Sequence, residues 1–301
     1  MATLYEAARA AGIPFKYEAK PVKQEFDTGE VVVNYLTWGN GNGPPIVLLH
    51  GWAQNARSWD YTALSLCEKY TVISVDARGH GDSTWATDGD YSAGAHQRDL
   101  DALFGHLDIK TVILIGFSMG GRSAYMSASR RPDLVKALGI VDAGPINKRT
   151  GGQRIEQFVR LTDQLDSIEE FIDRIRAYNP RRSQQEIKDT LIHKVRQRPD
   201  GKWTWKYDPA LRNPDRRPPP LPAGKAWKHL EDIKCPTLLV RGKESDVLAT
   251  ETADEMVTRM RDCTMVEVDG AGHMVAGDNP RTFIKLVKRW LDKVSPLPLV
   301  E

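Results

Sequence analysis

Residues 116–121 read Gly-Phe-Ser-Met-Gly-Gly and place Ser118 at the centre of a glycine-rich segment. The apolar run before them is typical of a buried strand, and the small side chains after them indicate a closely packed helix. Glycines on both sides of the serine let the backbone turn sharply and let the strand approach the helix. A helix N-terminus beside Ser118 would favour developing negative charge. This pattern predicts Ser118 as a nucleophile.

A nucleophilic serine needs a general base, and His273 is the best placed of the seven histidines. Residues 270–274 read Gly-Ala-Gly-His-Met and lie between the last predicted strand and the last predicted helix. A glycine-flanked loop of this kind can carry an imidazole to the serine. We therefore predict His273 as the general base.

A third residue should orient the imidazole and stabilise its protonated form. Asp246 follows the predicted strand 237–241, so it should lie at the same edge of the sheet as Ser118 and His273. Two alternatives are Asp142, which follows the predicted strand 137–141, and Glu244, which is close to Asp246. The chain order serine, aspartate, histidine leads us to predict Asp246.

Acyl transfer also requires two backbone N–H groups that bind the oxyanion. Met119 follows the nucleophile directly, and Trp52 follows the apolar run 46–50 in the segment His50-Gly51-Trp52. We predict Met119 and Trp52 as the two donors and His50 as a support for its loop. Residues 76–83, Asp-Ala-Arg-Gly-His-Gly-Asp-Ser, predict a hydrogen-bonded structural turn.

Short apolar runs alternate with amphipathic stretches along the chain, which predicts an α/β fold with a mainly parallel central sheet flanked by helices. The predicted strands cover residues 30–38, 46–50, 71–76, 111–116, 137–141, 237–241 and 265–268. The predicted helices cover residues 56–67, 95–107, 120–130, 250–261 and 281–294.

The alternation stops between about residues 144 and 224, where the chain becomes more charged and helical. Ser167 with Glu170 and Ser183 with Glu186 are typical of capping boxes. We predict a helical cap at 144–224, inserted between core strands, and a core formed by 1–143 and 225–301. The proline-rich residues 217–222 predict a stiff spacer back to the core.

Three aromatic residues alternate on one extended face within the predicted cap: Trp203, Trp205 and Tyr207. They could line a largely apolar pocket. We favour the alternative that they join the cap to the core.

The composition limits the classes of partner and location. The 301 residues carry 42 basic and 40 acidic side chains, which argues against nucleic acid or an anionic membrane as the main partner. The sequence shows no secretory signal, and its apolar runs are too short to span a bilayer. Cys67, Cys235 and Cys263 lack the spacing of a metal or disulfide site. We expect a cytoplasmic monomer or homodimer without a cofactor or metal ion.

The segments HGW, DARGHGDS, GFSMGG, RGKESD and GAGHMV follow one another at predicted strand ends. Together they resemble the α/β-hydrolase superfamily over roughly residues 30–294. The resemblance implies a carboxylic ester hydrolase that cleaves a small-molecule ester or lactone through an acyl-enzyme on Ser118. Members similar to haloalkane dehalogenases and epoxide hydrolases carry an aspartate nucleophile, so the serine disfavours those reactions.

Other reactions remain open for the same three residues. A carbon–carbon bond hydrolase or a perhydrolase would use the same catalytic groups, although the former often has a polar residue where this chain has Phe117. An alternative of another class is a ligand-binding protein with slow turnover on a hydrolase fold.

Overall fold

The computed structural model describes residues 2–161, 164–213, 219 and 221–294. The strands in these ranges are β1 (Val22–Asp27), β2 (Val32–Trp38), β3 (Pro45–Leu49), β4 (Thr71–Val75), β5 (Val112–Phe117), β6 (Val135–Val141), β7 (Val195–Gln197), β8 (Trp203–Trp205), β9 (Thr237–Gly242) and β10 (Cys263–Val268). Within the described chain, eight of them form a sheet in the order β1-β2-β4-β3-β5-β6-β9-β10. The pairs from β4 to β10 are parallel, and β2 is antiparallel to both of its neighbours. This confirms the predicted α/β architecture.

The central strands are continuous apolar segments because helices cover both faces of the sheet. Every residue of β5 is buried, and β9 is buried along its whole length. Strand β1 was not predicted. It lies at the edge of the sheet and is exposed at five of six positions, so its sequence lacks the apolar pattern that marks a core strand.

The helices are α1 (Leu4–Ala10), α2 (Asp60–Leu66), α3 (Ala93–His106), α4 (Met119–Arg130), α5 (Arg149–Arg160), α6 (Ile168–Tyr178), α7 (Gln184–Leu191), α8 (Ala223–Asp232), α9 (Thr250–Arg259), α10 (Val275–Asp278) and α11 (Pro280–Val294), with 3₁₀ turns at Ala56–Trp59 and Pro209–Arg212. Helices α1, α2 and α11 pack on one face of the sheet. Helices α3, α4, α8 and α9 pack on the other. In the described part of the chain, no helix has both the length and the apolar character needed to cross a membrane.

The chain between β6 and β9 leaves the sheet and forms α5, α6, α7 and a two-stranded ribbon of β7 and β8. The hydroxyl groups of Ser167 and Ser183 accept hydrogen bonds from the backbone N–H groups of Glu170 and Glu186, and the second pair is a complete capping box. The ribbon is absent from the prediction of a helical cap. Helix α8 starts at Ala223 and packs on α4, so it belongs with the core helices. Residues 217, 218 and 220 of the predicted spacer lie outside the described residues.

Candidate active site

Ser118 sits in a sharp turn between β5 and α4, with a left-handed backbone (φ 52°, ψ −112°) that residues other than glycine rarely adopt. Gly116 and Gly120, two residues away on either side, allow the turn because they have no side chain. A Cβ on Gly116 would lie 2.2 Å from the carbonyl oxygen of Gly120, and a Cβ on Gly120 would lie 2.2 Å from that of Leu49. Strand and helix can therefore meet closely, and Ser118 is held above the end of β5.

His273 lies in the loop between β10 and α10, and its ring joins Ser118 to a buried carboxylate. The His273 Nε2 atom is 3.2 Å from the Ser118 hydroxyl oxygen, and Nδ1 is 2.7 Å from Oδ2 of Asp142. Because an ionised carboxylate only accepts, Nδ1–H donates to Asp142 and Nε2 accepts from the hydroxyl. The ring of His273 also packs on that of Phe117, with 4.8 Å between centroids.

The prediction of Asp246 as the orienting acid is wrong on this geometry. The Asp246 carboxylate accepts a hydrogen bond from Arg154 of α5 at 2.6 Å and is partly exposed to solvent. Glu244 is equally engaged elsewhere, at 2.7 Å from Arg181. Asp142, weighed as an alternative, contacts His273 instead. The error has a physical origin, since the loop after β9 turns back at Gly242 before it reaches Asp246.

Asp142 follows β6 directly, and its side chain is completely buried. The last residue of β9 and the loop that follows it each supply a donor that holds the Asp142 carboxylate. The Gly242 N–H donates to Oδ1 at 3.1 Å, and the Ser245 hydroxyl donates to Oδ2 at 2.6 Å. With the bond from His273, the buried carboxylate has three donors, and these offset the cost of removing the charge from water.

Trp52 and Met119 line the same cavity as Ser118. Met119 is the first residue of α4, and the N–H groups of a first helical turn have no partner within the helix. The loop of Trp52 is held from behind by His50, which donates from Nδ1 to the Gly51 carbonyl at 2.7 Å and accepts from the Ala77 N–H at 3.0 Å. These bonds agree with the supporting role predicted for His50. Burial lowers its pKa to about 4, so the ring is neutral at pH 7.

Residues 76–83 form the predicted structural turn. The buried Asp76 carboxylate accepts from the N–H groups of Ala56 (2.6 Å) and Asp82 (2.8 Å). A Cβ on Gly81, whose φ is 59°, would lie 2.2 Å from this carboxylate. His80 of the same turn is buried 5.2 Å from the ring of His50, and burial lowers the pKa of His80 to about 3.

A cavity of about 670 Å³ opens over Ser118, between the sheet edge and the segment that separates β6 from β9. Helices α5, α6 and α7 line it together with Trp205 of the ribbon. Trp203 and Tyr207 are not among its described lining residues. Tyr207 instead lies beside His80, with 6.3 Å between ring centroids, and the backbone of residue 207 bridges that of residue 80. The predicted aromatic set is thus divided between lining the cavity and joining the segment to the core.

Comparison with known proteins places this geometry in a family. The model of the alpha/beta hydrolase family matches residues 46–286. The chain belongs to this family. It is 30% identical over 267 residues to Esterase Rv0045c of Mycobacterium tuberculosis, with 86% of each chain covered. It is 33% identical over 251 residues to a 3-hydroxybutyrate-oligomer hydrolase of Cupriavidus necator, with 79% of this chain and 86% of the relative covered.

A solved structure of Esterase Rv0045c superposes on the chain with a TM-score of 0.78, at 29% identity and with 96% of each chain covered. The resemblance to the α/β-hydrolase superfamily and the prediction of a hydrolase are therefore confirmed. The family also explains the features above, because a strained serine between a strand and a helix, followed in the chain by an acid and a histidine, is typical of α/β hydrolases.

Several side chains of this α/β hydrolase that surround the cavity or its acid were not predicted from the sequence. The sequence position of Ser245 could have indicated a role at the site, since it lies one residue before the predicted acid. Nothing in the sequence indicates such a role for Arg122 or Arg182, because their place at the cavity depends on the folds of α4 and of the segment after β6.

Proposed function

We propose that the protein is a serine esterase that hydrolyses a carboxylic ester or lactone of a small molecule. Ser118 is the nucleophile, His273 the general base and Asp142 the acid that orients it. The observation that carries this proposal is the continuous chain of hydrogen bonds from the Ser118 hydroxyl through His273 to Asp142 (3.2 and 2.7 Å). The relatives named esterase and oligomer hydrolase support the same class of reaction.

In the first step, Ser118 attacks the ester carbonyl while His273 takes the hydroxyl proton at Nε2. The N–H groups of Met119 and Trp52 are proposed to hold the oxyanion of the tetrahedral intermediate. The imidazolium then gives its proton to the leaving alcohol, and the acyl group remains on the serine oxygen. A water molecule deprotonated by His273 releases the acid and restores Ser118.

Asp142 contributes by fixing the tautomer of His273. With Nδ1–H bound to the carboxylate, the free electron pair lies on Nε2, which faces the serine. The carboxylate also stabilises the imidazolium that forms in each step. Its burial keeps this interaction away from solvent screening.

The nucleophile can be tested directly. A fluorophosphonate probe should label the native protein at one site per chain, because it traps an activated serine. Ser118→Ala should remove the label, while Ser123→Ala, on the next turn of the same helix, should keep it. Labelling that persists in Ser118→Ala would assign the nucleophile elsewhere.

Activity separates the esterase from a slow ligand-binding protein and from the other reactions of the fold. A panel of p-nitrophenyl esters and lactones should show turnover that Ser118→Ala abolishes.

The three cysteines are free, which supports the proposed cytoplasmic location.

A further inference from the structure

A second cavity of about 410 Å³ lies beside the one that holds Ser118. It is lined by α1, by the 3₁₀ turn and α2 after β3, and by the residues that follow His273. The two cavities share six lining residues: Gln54, Phe117, Arg182, Thr190, Lys194 and Met274. They therefore meet at these side chains, and two of the six, Arg182 and Lys194, are basic.

The charges around the Ser118 cavity are unbalanced. Its described lining residues include three cations, Arg122, Arg182 and Lys194, and one carboxylate, Asp142. That carboxylate is already bound by His273 and Ser245. Within the described lining, none of the cations therefore has an acid of the cavity wall left to neutralise it.

Arg182 is held in place by one end of its guanidinium. Its Nη2 donates to the Glu186 carbonyl at 2.7 Å and to the Thr190 hydroxyl at 3.1 Å. Its Nε is buried and has no hydrogen-bond partner among the described residues. Burial lowers the pKa of the Arg182 guanidinium, as expected for a cation that has lost water without gaining a full set of acceptors.

Lys194 lies beside Arg182. Burial, together with the charge of Arg182, lowers the pKa of the Lys194 ammonium to about 7, and Asp60 opposes this shift. Because Lys194 lines both cavities, a ligand that passes between them meets it. An anionic ligand at this point would lie beside two basic side chains that form no ion pair with an acid among the contacts of the described residues.

The two acids of the second cavity accept hydrogen bonds from groups other than Lys194 and Arg182, and Oδ1 of Asp60 is buried without a partner among the described residues. Asp60 accepts a hydrogen bond from Arg57 at 3.2 Å, and burial raises the pKa of its carboxyl to about 7. Asp189 accepts from Gln185 at 2.7 Å. Neither carboxylate forms a hydrogen bond to Lys194 or Arg182 among the contacts of the described residues.

We propose that the substrate is an ester that carries a carboxylate, and that this carboxylate binds Lys194 and Arg182 where the two cavities meet. The inference rests on the proposed esterase function. The combined space suits an elongated molecule, with the ester carbonyl at Ser118 and the anionic end several atoms away. Charge-assisted hydrogen bonds to an ammonium and a guanidinium would then select anionic over neutral esters.

Two matched pairs of esters test the charge and its position. Mono-p-nitrophenyl adipate and p-nitrophenyl hexanoate differ by a carboxylate on the acyl side. In the second pair, 4-acetoxybenzoate and its methyl ester, the carboxylate is on the alcohol side. The kcat/KM of the anionic ester should exceed that of its neutral partner by about tenfold in at least one pair. The pair that responds shows which half of the substrate reaches Lys194.

The variant Lys194→Met keeps most of the side-chain volume and removes the charge. It should lower the kcat/KM for the preferred anionic ester about tenfold more than that for the neutral partner. Lys188→Met is the matched control, since Lys188 is a partly exposed lysine on α7 that pairs with Glu169 and does not line either cavity. Lys188→Met should leave the preference of the native protein intact. No preference in either pair, or a preference that survives in Lys194→Met, would overturn the proposal.

A binding measurement separates this inference from the esterase function. Titration calorimetry of the four esters into Ser118→Ala reports affinity without turnover. Tighter binding of an anionic ester, lost in the double variant Ser118→Ala/Lys194→Met, would support the anion site even if the native protein cleaved none of the esters. Equal affinities within both pairs, or no binding of any ester, would refute the anion site, whatever the outcome for esterase activity.

Discussion

The end of β6 and the loop after β9 each place an aspartate near the edge of the sheet that holds Ser118, but only the aspartate after β6 meets His273. Asp142 is the first residue after its strand and is completely buried. Asp246 comes four residues after Gly242, the last residue of β9, and faces Arg154 of α5. The two positions differ in how closely the carboxylate follows the ordered strand.

The loop after β9 still serves the site, with a different residue. A turn that closes from the Ser245 N–H to the Gly242 carbonyl directs the Ser245 hydroxyl to Asp142. The next residue, Asp246, then points outward toward α5. In this molecule, β6, which lies next to the strand of the nucleophile, supplies the acid. The loop after β9 supplies the hydroxyl that positions this acid.

The largest expected effect comes from Asp142→Asn. The amide cannot stabilise the imidazolium and favours the wrong tautomer of His273, so kcat for a p-nitrophenyl ester should fall by about 10⁴-fold. The matched variant is Asp246→Asn, measured with the same ester and compared by melting temperature. A larger loss of kcat in Asp246→Asn than in Asp142→Asn would restore Asp246 as the orienting acid.

Ser245→Ala should have an intermediate effect. It removes one donor from the Asp142 carboxylate, and kcat/KM should fall roughly tenfold because the acid is less firmly positioned. Ser245 also accepts hydrogen bonds from the Val247 and Leu248 N–H groups, so the melting temperature should fall as well. Ser245→Thr keeps the hydroxyl and should recover most of the kcat/KM. If Ser245→Thr is as slow as Ser245→Ala, the hydroxyl is not what positions Asp142.

The smallest effect is expected for Asp246→Asn. The pair with Arg154 is partly exposed, and such pairs contribute about 1 kcal/mol or less to the free energy of unfolding. We expect kcat/KM to change by no more than about twofold. Arg154→Gln provides the partner for a double-variant cycle by denaturant unfolding, and a coupling energy well above this value would mean that the pair stabilises the docked position of α5.

The sequence was sufficient to predict Ser118 and His273 at one site because each lies in a glycine-rich segment that follows a predicted strand. Strand β1 could not be predicted in the same way, since an edge strand that is mostly exposed carries little apolar pattern. The choice between Asp142 and Asp246 depended on the direction of a tight turn after β9. Local sequence does not determine that direction without the neighbouring strand.

The position of the charged residues at the junction of the two cavities could not be predicted from the sequence for another reason. Lys194 and Arg182 follow no motif, and in a helical segment rich in charges they resemble solvated surface residues. Their burial results from docking that segment on the core. The Asn55 side chain, for example, donates to the His193 carbonyl at 2.6 Å, which fixes the chain beside Lys194.

The buried histidines behind the Trp52 loop make the protein sensitive to acid. His50 and His80 have folded-state pKa values of about 4 and about 3, below the value of about 6.5 for an unfolded chain. At these two histidines the unfolded state therefore binds more protons below pH 6.5, and their contribution to the free energy of unfolding decreases as the pH falls from there toward 3. The turn of His80 also bonds to the ribbon, through the Gly81 N–H and the Lys206 carbonyl at 2.6 Å. Mild acid should therefore destabilise both the turn at residues 76–83 and the ribbon of β7 and β8 that is bonded to it. Activity lost at low pH should then coincide with a fall in melting temperature.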